Sequence, residues 1–131
     1  MQDREGLAEL KSRMASFAIR VIKAAESLPP SRTADVLGKQ MLRSGTGAAA
    51  NYRASCRARS TAEFLAKLGI VEEELDETLF WIDLIVQAGL MSEQKLSLLP
   101  DEGEQLLKIT VTSIKTARKR SSKAPSRRNK A

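Results

Sequence analysis

One stretch of fifty residues, Gln40 to Gly89, constrains the chain more than any other. Small or apolar side chains recur at Leu37, Met41, Ser44, Ala48, Tyr52 and Ser55, the three-four step of a single helix face. Small residues on that face allow a second helix backbone to approach closely. Ser60-Thr-Ala-Glu63 then forms a capping box. The serine hydroxyl accepts from the amide three residues on, and the glutamate reaches back to the serine amide. Beyond it Phe64, Leu68, Val71, Leu75, Thr78, Ile82 and Ile85 keep the same step, with Leu65, Leu79 and Val86 widening the stripe. Gly89 supplies a residue that tolerates a left-handed helix end. Two long helices joined at Ser60 are the expected result, and nothing in them is a catalytic signature.

The flanking segments extend the pattern. Leu7, Leu10, Met14, Phe17, Val21, Ala24 and Leu28 mark a heptad seam over about Gly6–Ser27. Arg13, Arg20, Lys23 and Glu26 lie off that seam and are expected in solvent. Pro29-Pro30 ends this helix, because proline lacks an amide donor and disfavours helical geometry in its predecessor. Ser31 or Thr33 caps the next helix, expected over about Thr33–Arg59, with Asp35 near its positive end. Gly45 and Gly47 inside it each cost about 1 kcal/mol relative to alanine. Close helix packing is the favoured account of them and a bend the other. After Ser92, a plausible cap, Leu96, Leu99, Leu106, Thr110 and Ile114 carry a last apolar face, beside Leu107 and Val111. Pro100 fits the first turn of a helix beginning near Leu99. The sequence thus predicts an all-α chain, an antiparallel four-helix bundle over 1–117, followed by a basic disordered tail over 118–131.

Charge is distributed unevenly. Eight of the 22 Lys and Arg residues fall between Lys115 and Ala131 with no acid among them, so the remaining 14 face 16 Asp and Glu. The body is therefore near neutral and the basicity belongs to the tail. Aromatics make up only 4% of the chain, so its core must be aliphatic and alanine-rich. No apolar run approaches the roughly 20 residues that span a bilayer. The charged start, MQDREGLAEL, lacks an apolar signal core, so a cytoplasmic location is expected, without membrane contact.

Chemistry by side-chain catalysis is poorly supplied. There is no histidine, which removes the usual general base and the usual imidazole ligand. The single cysteine, Cys56, builds neither a disulfide nor a thiolate zinc site and reads as a small packing group. Gly45-Thr46-Gly47 lacks the lysine and preceding strand of a phosphate loop. Glu72, Glu73, Glu74, Asp76 and Glu77 form a dense acidic patch, but the Glu-x-x-His pairs of a di-metal bundle are missing. No catalytic residue, cofactor or metal is expected. The acidic patch reads as a solvated face or as a partner for arginines.

Those arginines, Arg43, Arg53, Arg57 and Arg59, line the second helix, and Lys67 follows in the third. Either they pair with the acids of Glu72–Glu77, or they meet phosphates together with Lys115, Arg118, Lys119, Arg120, Lys123, Arg127, Arg128 and Lys130. No aromatics interleave with the basic residues to make a stacking platform. The third helix also carries Phe80, Trp81 and Leu84 outside its seam, and a helix apolar nearly all round is buried on more than one side. These three are the candidates for a subunit contact. Burial within one chain is the other account of Trp81.

Particular residues also carry a family resemblance. Gln40-Met-Leu-Arg43-Ser44, Ala49-Ala50-Asn51, Arg59-Ser60 with Glu63-Phe64, and later Leu75, Glu77-Thr78 and Gly89-Leu90 resemble the bacterial four-helix-bundle proteins encoded by intervening sequences in large-subunit ribosomal RNA genes. They are also similar to the accessory variability protein of diversity-generating retroelements. The resemblance covers roughly Phe17 to Arg118. The chain departs from the commonest pattern at Gly47-Ala48-Ala49 and at Arg53-Ala54-Ser55-Cys56. What the resemblance implies is an up-down-up-down bundle assembled as a ring-like homopentamer. The expected function is that of a non-enzymatic oligomeric binding protein with nucleic acid as its leading partner. The alternative is a protein adaptor or accessory subunit, for example for a reverse transcriptase.

Overall fold

The computed structural model describes residues 4–96 and 98–123. Among these the chain is all helical: α1 (Arg4–Glu26), α2 (Arg32–Cys56), α3 (Thr61–Gln87), the one-turn α4 (Glu93–Leu96) and α5 (Leu99–Lys123). The four long helices form a bundle in which α2 packs between α1 and α3, and α5 closes the ring by touching α3 and α1. No described helix is long and apolar enough to cross a membrane.

α2, α3 and α4 each start where a serine side chain satisfies one of the first amides. Ser31, in extended geometry, accepts from the Ala34 amide at 3.1 Å and so fixes the start of α2. Ser60 accepts from the Glu63 amide at 3.0 Å and starts α3. The reciprocal bond differs from the expected box. Glu63 Oε2 accepts from the amide of Arg59, at 3.3 Å, rather than from that of Ser60. α3 ends in a left-handed Gly89 (φ 73°), with the Leu90 amide bonding the Ile85 carbonyl at 3.1 Å and the Gly89 amide bonding Val86 at 3.0 Å. Ser92 caps α4, accepting from the Lys95 amide at 3.1 Å, and α5 opens at Leu99-Pro100 as the sequence predicts.

The core is the sum of the predicted faces. Met14, Phe17 and Val21 of α1 meet Met41, Ala48 and Tyr52 of α2, Leu68, Val71, Leu75, Ile82 and Ile85 of α3, and Leu99, Leu106 and Ile114 of α5. Each large aliphatic or aromatic side chain fully buried there contributes about 1.5–3 kcal/mol. The two account for α2's glycines resolve in favour of close packing, because α2 runs unbroken past both. A β-carbon on Gly45 would lie 2.8 Å from Val21 Cγ1, and one on Gly38 would lie 2.7 Å from Leu28 Cδ1. At Gly47 the space is taken by the Glu74 carboxylate of α3. Gly103 plays the same part on α5, where Leu79 of α3 and Phe17 of α1 both close on it.

Two expectations need correction. Arg13 is not simply solvated. Its guanidinium donates to Glu102 through Nε (3.1 Å) and Nη2 (2.8 Å), and through Nη2 to Gln105 (3.2 Å), tying α1 to α5. This fork, partly withdrawn from water, raises the Arg13 pKa, chiefly through the Glu102 hydrogen bond. Nor does order stop at Ala117: α5 continues to Lys123. Lysine, arginine and alanine are good helix formers, and cations are favoured at the negative end of a helix. Arg118, Lys119 and Arg120 are therefore exposed helical residues. The rest of the expected tail, with Arg127, Arg128 and Lys130, lies outside the described residues.

Candidate nucleic-acid interface

The motif residues of the sequence meet across the α2–α3 contact. Arg43 pairs with Glu74 (Nη1–Oε2, 3.3 Å) and with Glu77, and the Thr78 hydroxyl donates to Ser44 Oγ at 2.8 Å. Ser44 in turn donates to the Met41 carbonyl at 3.2 Å. Asn51 turns its amide onto the Gly47 carbonyl at 2.9 Å. These residues hold two helices in register, an ion pair outside and a hydroxyl pair inside. Arg43 is therefore engaged by the acidic patch, as the pairing account has it.

The other cations are placed differently. Arg53 and Arg57 are four apart, on one face of the last turn of α2 and its C-cap. Arg59 lies in the four-residue turn 57–60, and Lys67 stands on the second turn of α3. All four line one open hollow, floored by Ala50 and Ala54. Those methyl groups carry no polar atom and leave the space between the cations empty. Glu63, the one acid at the rim, has an oxygen occupied by the Arg59 amide. Among the described residues the ion pairs are Arg13–Glu102, Lys39–Asp35 and Arg43 with Glu74 and Glu77. The four cations of the hollow take part in none of them. The structure thus splits the arginine group of the sequence: Arg43 is paired, and Arg53, Arg57 and Arg59 with Lys67 are not.

The motif residues at the α2–α3 contact are thus engaged in helix packing. The family model of the 23S rRNA-intervening sequence proteins matches residues 8–112. The chain belongs to this family. A crystal structure of a protein with unknown function from the S23 ribosomal protein family, from Bacteroides thetaiotaomicron VPI-5482, is similar to it at 29% identity and a TM-score of 0.76. The match covers 81% of this chain and 98% of that one. None of the curated proteins matches the chain.

Of the other predicted residues, Lys115, Arg118, Lys119 and Arg120 are exposed along α5, whereas the side chain of Lys123 is outside what is described. Phe80 is 55% exposed. Trp81 is half-buried against the core, with Phe80 edge-on to it at 5.0 Å, and Leu84 is half-buried. The Trp81 indole Nε1 is buried and has no acceptor within the described chain. Trp81 thus packs in part on the core of its own chain, with Phe80 beside it. Sequence reasoning missed Glu63 as part of the hollow and Ala50 and Ala54 as its floor. The i, i+4 spacing of Ala50, Ala54 and the turn was the available signal.

Proposed function

We propose that this chain is a non-enzymatic, homo-oligomeric protein that binds nucleic acid through its basic end. The observation that carries this reading is the hollow of Arg53, Arg57, Arg59 and Lys67, whose cations, with only Glu63 at the rim, take part in none of the ion pairs among the described residues. Unpaired cations on a fixed scaffold release counterions from phosphates and give salt-sensitive affinity. The helix order supports a larger basic surface. Paired positions run in opposite directions between α1 and α2 (Val21 with Gly45, Leu28 with Gly38) and between α2 and α3 (Ser44 with Thr78, Gly47 with Glu74). α5 touches α3 at Leu79–Gly103 and follows a short connection, so it returns towards Thr61 in an antiparallel up-down-up-down bundle. Lys115, Arg118, Lys119 and Arg120 then come to the same end as the hollow.

The oligomer in this reading is the ring-like pentamer, with Phe80, Trp81 and Leu84 at the subunit contact and avidity multiplying a weak basic site. Fluorescence anisotropy with labelled RNA tests the site. Arg53→Ala/Arg57→Ala is expected to weaken binding and flatten its salt dependence by about two units of slope. Arg43→Ala, at the paired arginine, should change neither. Wild-type binding by the double variant would overturn the assignment. The outward Phe80 also favours a protein contact, so an adaptor role is the second reading. A pull-down that returns a protein partner after nuclease treatment, from a chain that does not bind RNA, would select it.

A further inference from the structure

We infer that the basic hollow takes the phosphate backbone of a duplex and not a single strand. The inference rests on the nucleic-acid reading above and specifies its ligand. Single strands are held by stacking bases on exposed aromatic faces, backed by cations. The chain has five aromatic residues, and none offers a face to the hollow. Phe17 and Tyr52 are buried at 1% and 3% exposure, and Phe64 is packed onto the core. Phe80 and Trp81 lie more than three helical turns beyond Lys67 on α3, about 20 Å at 1.5 Å per residue.

Besides the cations, the lining offers bases one hydrogen-bonding side chain, the Glu63 carboxylate, whose Oε2 is taken by the Arg59 amide. Ala50 and Ala54 have no polar side-chain atom, and neighbouring Asn51 is committed to the Gly47 carbonyl. What remains is an array of cations mounted on two regular helices and the capped turn between them. Such an array has its backbone positions fixed by the helices and the turn, which suits a ligand whose charges are also regularly placed. A duplex is that ligand, presenting about one negative charge per 1.7 Å of its axis. Counterion release per contact is also larger there, about 0.9 against 0.7 for a single strand. Four contacts therefore give a log–log salt slope near −3.6 on a duplex and near −2.8 on a single strand.

The test measures the full chain against a labelled RNA hairpin, a duplex DNA of the same length, and each single strand, over a salt series. Duplex binding about tenfold tighter than single-strand binding is expected, because no base gains a stacking partner. It should be similar for unrelated sequences, with the slope falling by about 1.8 in Arg53→Ala/Arg57→Ala. Arg32→Ala, at the other end of α2, should leave the slope unchanged. The RNA and DNA arms report which duplex geometry fits the hollow. Single strands that bind as tightly as duplexes would overturn the duplex assignment while leaving nucleic-acid binding in place. No binding of any probe at low salt would overturn both.

Discussion

The Thr78 hydroxyl donates to Ser44 Oγ across 2.8 Å of fully buried α2–α3 interface. Both residues also have a carbonyl within reach on their own helix, Glu74 for Thr78 (2.7 Å) and Met41 for Ser44 (3.2 Å). Neither hydroxyl is stranded when the other is removed, so the pair can be dissected. Thr78→Val and Ser44→Ala should each cost about 1 kcal/mol, with a coupling of about 0.5–1.5 kcal/mol in a double-mutant cycle. Urea denaturation supplies the three values. Additive losses would mean that the hydroxyls do not interact.

Two glycines separate packing from helix propensity. Both sit inside long helices, where alanine is intrinsically better by about 1 kcal/mol. A β-carbon at Gly69 meets nothing within 4 Å, so Gly69→Ala should stabilise the fold by up to about 1 kcal/mol. At Gly45 the same methyl group would press on Val21, 2.8 Å from Cγ1 and 3.0 Å from Cγ2. Valine has little rotamer freedom to yield. Gly45→Ala should therefore destabilise by about 1–2 kcal/mol net, an overpacking cost. Thermal melts of both variants decide the point through the sign of each shift.

Tyr52 gives the fold an alkaline limit. Burial, with Cys56 beside it, pushes its hydroxyl well above the ordinary value of 10.0. The unfolded chain releases this proton from about pH 10 upwards and the folded chain does not. Above that pH the unfolded state binds fewer protons, so stability falls as pH rises, by at most about 1.4 kcal/mol per pH unit. Below pH 10 the contribution is fully present. Because Tyr52 is the only tyrosine, tyrosinate absorbance reports it alone. Tyr52→Phe should remove this part of the alkaline slope. An unchanged slope would place the loss on other groups.

The proposed subunit contact is tested at the Phe80–Trp81 pair. Phe80 lies opposite the core on α3 and is 55% exposed, so Phe80→Glu should leave helicity intact and lower the mass seen by light scattering. Trp81→Phe removes an indole nitrogen that is buried and has no acceptor among the described residues. With that donor covered within its own chain, its loss should leave association unchanged and keep or raise fold stability by up to about 1 kcal/mol. An unchanged mass for Phe80→Glu would move the contact elsewhere.

Most of the fold was legible because it rests on periodicity. Ser44, Thr78 and Thr110 fell on the predicted faces although they are polar, since the three-four step outweighs side-chain type when a local carbonyl accepts the hydroxyl. Ser60 was legible as a cap because capping depends on residues three apart. What sequence could not supply was contact between distant positions. Nothing in the local pattern links Arg13 with Glu102, 89 residues later. The arginine group was visible, but its division was not. Whether Arg43 or Arg53 meets an acid depends on which turn of α3 lies opposite, and that register is tertiary. The end of α5 was misjudged because apolar periodicity reports burial, and a solvated helix end needs none.

The hollow is written into a continuous run of chain, Ala50 to Lys67, folded over a turn of four residues. Closing so short a loop costs little entropy, and its cap is local. The shape of the hollow is therefore set by the hairpin of α2 and α3. A protein of local contacts that folds fast can form such a hairpin early. Ser60→Ala, which removes the cap at its centre, should slow refolding more than it speeds unfolding. Order of assembly would then separate the two tasks proposed for the chain: the part proposed to meet a polyanion would be shaped first, and the part that makes it stable would follow.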